Sequence, residues 1–100
     1  MSKIMIMKSF ELNSIDLLDD WKTVSETLNS NLKGADGFIS RDSLKGSGNK
    51  VFCCVKWESE EKKETFRKKL EAKKEWPEIQ KNLKRVINME TMNMQVLEVL

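Results

Sequence analysis

Three aromatic side chains and two cations are the residues whose types could build a chemical site in this sequence. Trp21, Trp57 and Phe66 are large apolar side chains that can line a cleft for a planar molecule. Arg41 or Lys56 can hold an anionic or enolate-like group in such a cleft by charge. The alternative is that the aromatics belong to the core and the two cations are solvated strand residues. The residue types leave both interpretations open and assign no catalytic residue.

Two missing residue types restrict the chemistry further. The 100 residues include no histidine and no tyrosine. The chain therefore cannot supply a Ser-His or Cys-His pair, a histidine ligand for zinc or haem, or a phenol-based proton relay. Cys53 and Cys54 are adjacent and lack CxxC spacing, so we predict reduced thiols with a structural role, no metal site and no cofactor. Oxygenation of an electron-rich planar molecule stays open, because it needs little beyond desolvation and positioning.

Composition predicts one folded domain spanning residues 1–100. Hydrophobic residues make up 39% and charged residues 34%, and 18 basic side chains against 16 acidic ones give a net charge of +2. No apolar run approaches the roughly 20 residues that span a bilayer, and the N-terminus lacks the features of a signal peptide. We therefore expect a cytoplasmic protein with no membrane contact. The nearly neutral charge also argues against a nucleic-acid partner.

The spacing of apolar residues in the first third predicts a strand and then a helix. From Lys3 to Leu12 apolar side chains occupy both faces, so this strand needs cover on two sides. Asn13 or Ser14 can cap the helix, and Gly34 can end it in a left-handed conformation. The apolar face of the helix recurs at steps of three and four residues: Leu17, Trp21, Val24, Leu28 and Leu32.

The remaining sequence predicts a hairpin, two helices and a last strand. Residues 38–44 and 50–57 form the hairpin, and Ser59 caps a second helix whose narrow apolar stripe is Phe66 and Leu70. Pro77 starts a third, short helix. Its apolar face consists of Ile79, Leu83, Val86 and Ile87. Residues 92–100 close the chain as a fourth strand.

This order of elements predicts an α+β fold, a ferredoxin-like βαββαβ sandwich with an extra short helix before the last strand. In that fold the helices cover one face of an antiparallel sheet. The first and last strands carry large apolar residues on both faces, so the second face needs a partner. A two-fold homodimer through the sheet face supplies one.

Two segments resemble a known family, the antibiotic biosynthesis monooxygenase-like domains. Residues 51–60, Val-Phe-Cys-Cys-Val-Lys-Trp-Glu-Ser-Glu, resemble the family's third strand, which ends in a tryptophan and is followed by a serine that caps the next helix. Gly37-Phe38-Ile39 is similar to the family's entry into the second strand. The resemblance implies that two chains form a dimeric α/β barrel, and it implies a small, cofactor-independent monooxygenase-like protein. The alternative function is that of a non-catalytic dimer that binds a small apolar ligand or a protein.

The same resemblance separates two branches of the family. Haem-degrading members use an asparagine on the first strand, a tryptophan in the helix after the third strand, and a histidine. Residues 3–12 contain no asparagine, Phe66 takes the tryptophan's position, and the chain has no histidine, so haem degradation is not expected. Cofactor-independent members place a tryptophan near the end of the third strand beside the substrate cleft, and Trp57 matches it.

A third hypothesis comes from a different class, the RNA-recognition domains, which share the strand and helix order. Residues 50–57 partly resemble their third-strand motif, in which exposed aromatics stack on bases. Phe52 and Trp57 fit that motif. Val51 replaces its glycine and Cys54 replaces a stacking aromatic, so nucleic-acid binding is the least favoured of the three functions.

Overall fold

The computed structural model describes residues 2–100, and these contain four strands and three α-helices. In chain order the elements are β1 (Ile4–Leu12), α1 (Leu18–Leu32), β2 (Phe38–Lys45), β3 (Lys50–Trp57), α2 (Glu60–Glu71), α3 (Trp76–Val86) and β4 (Ile87–Glu98). A short 3-10 turn over Ile15–Leu17 leads into α1. None of the helices within residues 2–100 has the length and apolar character required to cross a bilayer.

The four strands form one antiparallel sheet in the order β2-β3-β1-β4. Side chains alternate between the two faces of each strand, and on β1 the buried residues Ile4, Ile6, Phe10 and Leu12 all lie on one face. This is the predicted ferredoxin-like α+β arrangement, and it confirms the fold class. We call the face that packs against the helices the covered face and the other one the open face.

Capping residues account for the ends of the helices. The Ser14 hydroxyl accepts a hydrogen bond from the backbone N–H of Asp16 at 3.3 Å and so caps the 3-10 turn before α1, whereas α1 itself has no side-chain cap at its start. At the start of α2 the Ser59 hydroxyl accepts a hydrogen bond from the backbone N–H of Lys62 at 3.2 Å. Gly34, just beyond α1, has φ of +79°, a conformation that glycine adopts without steric cost. Pro77 lies in the first turn of α3, where a backbone N–H has no partner within the helix, so the missing N–H of proline costs no hydrogen bond.

One boundary differs from the prediction. Ile87, which the spacing assigned to the third helix, begins β4, and β4 therefore starts five residues before the predicted Met92. The backbone N–H of Asn13 bonds the Val86 carbonyl at 2.9 Å, and Ile87 pairs with Leu12. A register shift between Ser9 and Glu11 accommodates the extra residues of β4 in a bulge. Apolar spacing cannot reveal this bulge.

The buried residues of the covered face form two separate clusters. The closed cluster consists of Phe10, Leu12, Trp21, Val24, Val51, Val86 and Ile87. The open cluster consists of Ile4, Ile6, Leu32 and Trp57, with four partly buried neighbours, Ala35, Phe38, Val55 and Phe66. On β1 the two clusters are separated by Lys8, which lies between Ile6 and Phe10 on the same face.

Candidate functional site

A cleft of about 560 Å³ lies between the covered face of the sheet and the helices. We call it the central cleft. Trp21, Trp57, Phe66 and Arg41, four of the five residues proposed from the sequence, line it. Side chains from β1, β3, β4 and all three helices complete the lining, and most of them are apolar. The structure thus brings the three aromatics and one of the two cations to a single concave surface.

The wall at the open cluster is aromatic. Trp57, at the end of β3, is only 2% exposed, and its ring centroid lies 5.3 Å from that of Phe66 and 5.8 Å from that of Phe38. Leu70 is the buried residue of α2, and Phe66, the other large apolar residue of that helix, is partly exposed. Trp76 of α3, which the sequence reasoning did not select, adds a further aromatic to the lining. A planar ring can lie against such a surface without losing hydrogen bonds.

Trp21 contributes the opposite wall, at the closed cluster. It packs edge-on against Phe10 with ring centroids 5.1 Å apart, and it is 4% exposed. Its indole Nε1 donates a hydrogen bond to the Ser43 hydroxyl at 2.9 Å. Trp21 is therefore held by packing and by a polar bond, and it serves both the core and the cleft.

Arg41 lies on β2 with its guanidinium against α1. Its Nη1 donates to the Ser25 hydroxyl at 2.7 Å and to the side-chain carbonyl of Asn29 at 2.8 Å. The guanidinium carbon is 6.0 Å from the centre of the Trp21 ring. Its second terminal nitrogen, Nη2, is buried and has no hydrogen-bond partner among residues 2–100. The partners of Arg41 are all neutral, so its positive charge stays uncompensated.

Lys56 is not brought to the central cleft. It immediately precedes Trp57 on β3, and consecutive residues of a strand point to opposite faces. Its neighbours across the sheet are Met5 and Ser40, on the open face. Of the two cations proposed from the sequence, only Arg41 shares a surface with the three aromatics.

Two residues that the sequence reasoning did not select, Lys8 and Cys53, lie in the middle of the cleft floor. They are direct partners in the pairing of β1 with β3, and both line the cleft. Burial raises the pKa of the Cys53 thiol, and the nearby charges of Arg41 and Lys8 partly oppose this increase. The thiol is therefore protonated at neutral pH. A signal for Lys8 exists in the sequence, since it interrupts the apolar alternation of β1.

The rim formed by α2 carries charges that neutralise one another. Glu64 bonds Arg67 at 2.8 Å and Lys63 at 3.0 Å, and Arg67 also bonds Glu71 at 3.0 Å. The hydrogen bonds from Arg67 and then Lys63 lower the pKa of Glu64 to about 2. The rim therefore adds polarity to the cleft entrance without adding net charge.

The central cleft has apolar walls, and its floor carries two cations and a thiol. Within residues 2–100 no three Asp, Glu, Cys or His side chains group together as metal ligands. The polar groups at the cleft floor are Lys8, Arg41 and Cys53. Such a site can desolvate and orient a planar molecule and can stabilise negative charge on it.

The fold of this chain also occurs in other proteins of known structure. No protein-family model matches the sequence, and no curated protein matches it significantly. Solved structures that share its fold include proteins named as an oxygenase and as an antibiotic biosynthesis monooxygenase. The chain superposes on SnoaB, a cofactor-independent oxygenase from Streptomyces nogalater, with a TM-score of 0.78 at 10% identity, covering 100% of this chain and 95% of SnoaB.

Two further structures extend this similarity. A candidate antibiotic biosynthesis monooxygenase from Nitrosomonas europaea has a TM-score of 0.79 at 7% identity, with 99% of this chain and 91% of that chain covered. An uncharacterised NIPSNAP-like domain protein from Burkholderia xenovorans has a TM-score of 0.74 at 19% identity, with 99% and 86% covered. Because these identities are low, the similarity establishes the fold alone.

Proposed function

We propose that this chain is a small cofactor-independent monooxygenase-like protein that acts on a planar, electron-rich molecule bound in the central cleft. The observation that carries the proposal is the aromatic wall of Trp57 and Phe66, which faces a cleft of about 560 Å³. That volume is in the range of small-molecule sites. Trp21 and Arg41 supply the opposite side of the same site. The names of the structural neighbours SnoaB and the Nitrosomonas protein agree with this class of function.

The reaction requires no external reductant. A quinol that reacts with O2 can become a hydroxyquinone and water: one oxygen atom forms a new C–O bond on the ring, and the other leaves as water. Four electrons reduce O2: two come from oxidation of the quinol to the quinone, and two come from the ring carbon, where a C–O bond replaces the C–H bond. The two quinol hydroxyls and the ring carbon release three protons, of which two enter the water and one stays on the new hydroxyl group. The protein's contribution is to exclude water, hold the ring and stabilise the deprotonated substrate by charge.

Oxygen consumption with a panel of naphthoquinols tests the activity. The proposal expects protein-dependent consumption and, with 18O2, incorporation of one labelled oxygen atom into the product. Trp57→Leu should abolish most of this consumption, because it removes the aromatic wall. Ile15→Leu, at an exposed site outside the cleft, is the matched control and should retain it. Saturable quinol binding without protein-dependent oxygenation would instead support a non-catalytic binding module.

We further propose a homodimer formed through the open face of the sheet. Four large apolar residues on that face are between 37% and 54% exposed: Met7, Leu44, Phe52 and Leu97. The helices pack on the covered face, so a second copy of the chain can bury these residues against its own equivalents. Two sheets packed in this way would close the dimeric α/β barrel.

Sedimentation velocity at micromolar concentration tests the dimer. We expect the wild-type chain to sediment as a dimer and Phe52→Glu to sediment as a monomer, because the new carboxylate would be buried without a partner. Ile15→Glu, which places the same charge away from the sheet, should remain dimeric. A monomeric wild-type chain would refute the dimer and would favour an exposed sheet of the RNA-recognition type.

The cytoplasm is the compartment we propose. Cys53 and Cys54 are both free, and they lie on opposite faces of β3. Free thiols are typical of proteins in a reducing compartment. Locating a tagged full-length chain in cell fractions would test this assignment.

A further inference from the structure

The middle of the central cleft holds two positive charges that have no acidic partner. Lys8 interrupts the apolar series of β1, and Arg41 lies two strands away on the same face of the sheet. Among residues 2–100 no carboxylate lies within salt-bridge distance of either side chain. Lys8 is exposed and stays hydrated, so it costs little when unpaired. Arg41 is half-buried and one of its terminal nitrogens is fully buried, so its unpaired charge is costly unless a ligand compensates it.

The remaining charges around the cleft do not supply that compensation. Four cations and two carboxylates line it, which gives a net charge of +2. The two carboxylates, Glu64 and Glu71, are bonded to Lys63 and Arg67 on the rim. The excess positive charge is therefore located at Lys8 and Arg41.

Cys53 lies beside both cations in the pairing of the strands. It is the cross-strand partner of Lys8, and Val55, the next residue of β3 on this face, is the partner of Arg41. The charges of Arg41 and Lys8 both favour the thiolate form of Cys53, against the effect of burial. A negatively charged group above Cys53 would therefore interact favourably with both cations.

Arg41 also retains an unused donor. Nη1 is occupied by Ser25 and Asn29, whereas the buried Nη2 has no partner among the described residues. A buried donor without an acceptor is destabilising, and an anionic oxygen is its strongest partner.

We infer that the central cleft selects planar ligands that carry one negative charge, such as an aromatic carboxylate, phenolate or enolate, and that Lys8 and Arg41 bind this charge above Cys53. The inference rests on the proposed function, because it assumes that the cleft binds a ligand. It adds a ligand class and assigns a binding role to Lys8. The ring lies against the aromatic wall, and the charged substituent points to the middle of the cleft floor.

Equilibrium dialysis with 2-naphthoate and 2-naphthamide tests the inference, since the two probes share a ring and differ in charge. We expect the full-length protein to bind 2-naphthoate about tenfold more tightly than 2-naphthamide, and the preference to decrease at high salt. Lys8→Met should weaken 2-naphthoate binding about five- to tenfold and leave 2-naphthamide binding nearly unchanged. Lys8→Arg should retain the preference.

Lys81→Met is the matched control. Lys81 is exposed on α3 outside the cleft, so this variant removes one positive charge without changing the cleft. Lys8 donates no hydrogen bond among the described residues, and its replacement should leave the far-UV circular dichroism and thermal unfolding of the protein nearly unchanged; Lys8→Gln provides a second, polar variant.

Three results would overturn the inference. Equal affinity for the two probes would refute charge selection while leaving the ligand cleft in place. Equal weakening of 2-naphthoate binding by Lys8→Met and Lys81→Met would show that only the overall charge matters. Binding of neither probe would refute the ligand cleft, and charge selection with it.

Discussion

The closed and open clusters lie on the same face of the same sheet, yet they differ in how completely they are covered. All seven members of the closed cluster are at most 7% exposed, and its four largest fully buried side chains are Phe10, Leu12, Val51 and Val86. It also has four partly buried neighbours, Leu17, Leu18, Leu83 and Met92. The open cluster has only four buried members, at most 8% exposed, with four partly buried neighbours, so partly buried residues make up a larger share of it. One end of the sandwich is thus packed as a core, and the other keeps an apolar surface that a ligand can reach.

The helices explain this difference. Helix α1 buries Trp21, Val24, Ser25 and Leu32, whereas α2 buries only Leu70. Most other side chains of α2 are charged, so it has little apolar surface with which to close the sheet beneath it. The sheet is therefore packed more fully where it meets α1 and α3 than where α2 covers it.

The largest predicted effect is at the centre of the closed cluster. Phe10→Ala should lower the free energy of unfolding by about 3–5 kcal/mol, because it leaves a cavity in a fully packed region. Urea unfolding followed by tryptophan fluorescence measures the change. Ile15→Ala, at a side chain that is 53% exposed, should change the free energy of unfolding by less than about 0.5 kcal/mol. A cost for Phe10→Ala below that of a surface substitution would refute the closed cluster.

The same truncation in the open cluster should have a smaller effect on stability. Phe66→Ala should cost about 1–2 kcal/mol, because the side chain is only partly buried and lies at the edge of a cleft. The same urea titration, run beside Phe10→Ala, makes the two substitutions directly comparable. Equal costs would mean that the cleft closes in solution and that the two clusters do not differ. A reduced affinity for 2-naphthoate in the folded Phe66→Ala protein would support its place in the aromatic wall.

Ser43→Ala isolates the polar bond that holds Trp21 between the closed cluster and the cleft. The substitution removes the acceptor of the indole N–H and should cost about 1 kcal/mol, since solvent near the exposed Ser43 can replace the bond only in part. Ser43→Thr retains a hydroxyl and is the control. If thermal unfolding of Ser43→Ala and Ser43→Thr coincides with that of the wild-type protein, packing against Phe10 alone positions Trp21.

The individual strands, helices and caps can be predicted from the sequence, because they depend on local patterns. The strand limits of residues 50–57 and the cap at Ser59 follow from residue types and spacing. The alternation of β1 predicts that Ile4 and Phe10 share a face, and it also places Lys8 between them. The juxtaposition of Trp57 and Phe66 follows from their places at the end of a strand and in the second turn of the next helix.

The positions of the site residues and the division of the core depend on pairing and packing between distant segments. Whether Arg41 faces the helices depends on the register of β2 with β3, which shifts between Phe38 and Ser40. The early start of β4 at Ile87 depends on a bulge opposite β1. The separation of the core into two clusters depends on how closely each helix approaches the sheet, and hydrophobic spacing contains no information about that distance.

The smallest predicted effect is at the rim of the open cluster, where Glu64 interacts with Arg67 and Lys63. Because the folded-state pKa of Glu64 is lowered to about 2, its contribution to stability is present above its ordinary value near 4.5 and is lost as the pH falls toward 2. Glu64→Gln should therefore lower Tm slightly at pH 7, and the difference from wild type should shrink between pH 5 and pH 2. The rim is solvated, so 1 M NaCl should reduce the difference at pH 7 as well. A difference that persists at pH 2 would show that Glu64 stabilises α2 by packing. The open cluster would then be more firmly covered than its partly buried Phe38 and Phe66 indicate.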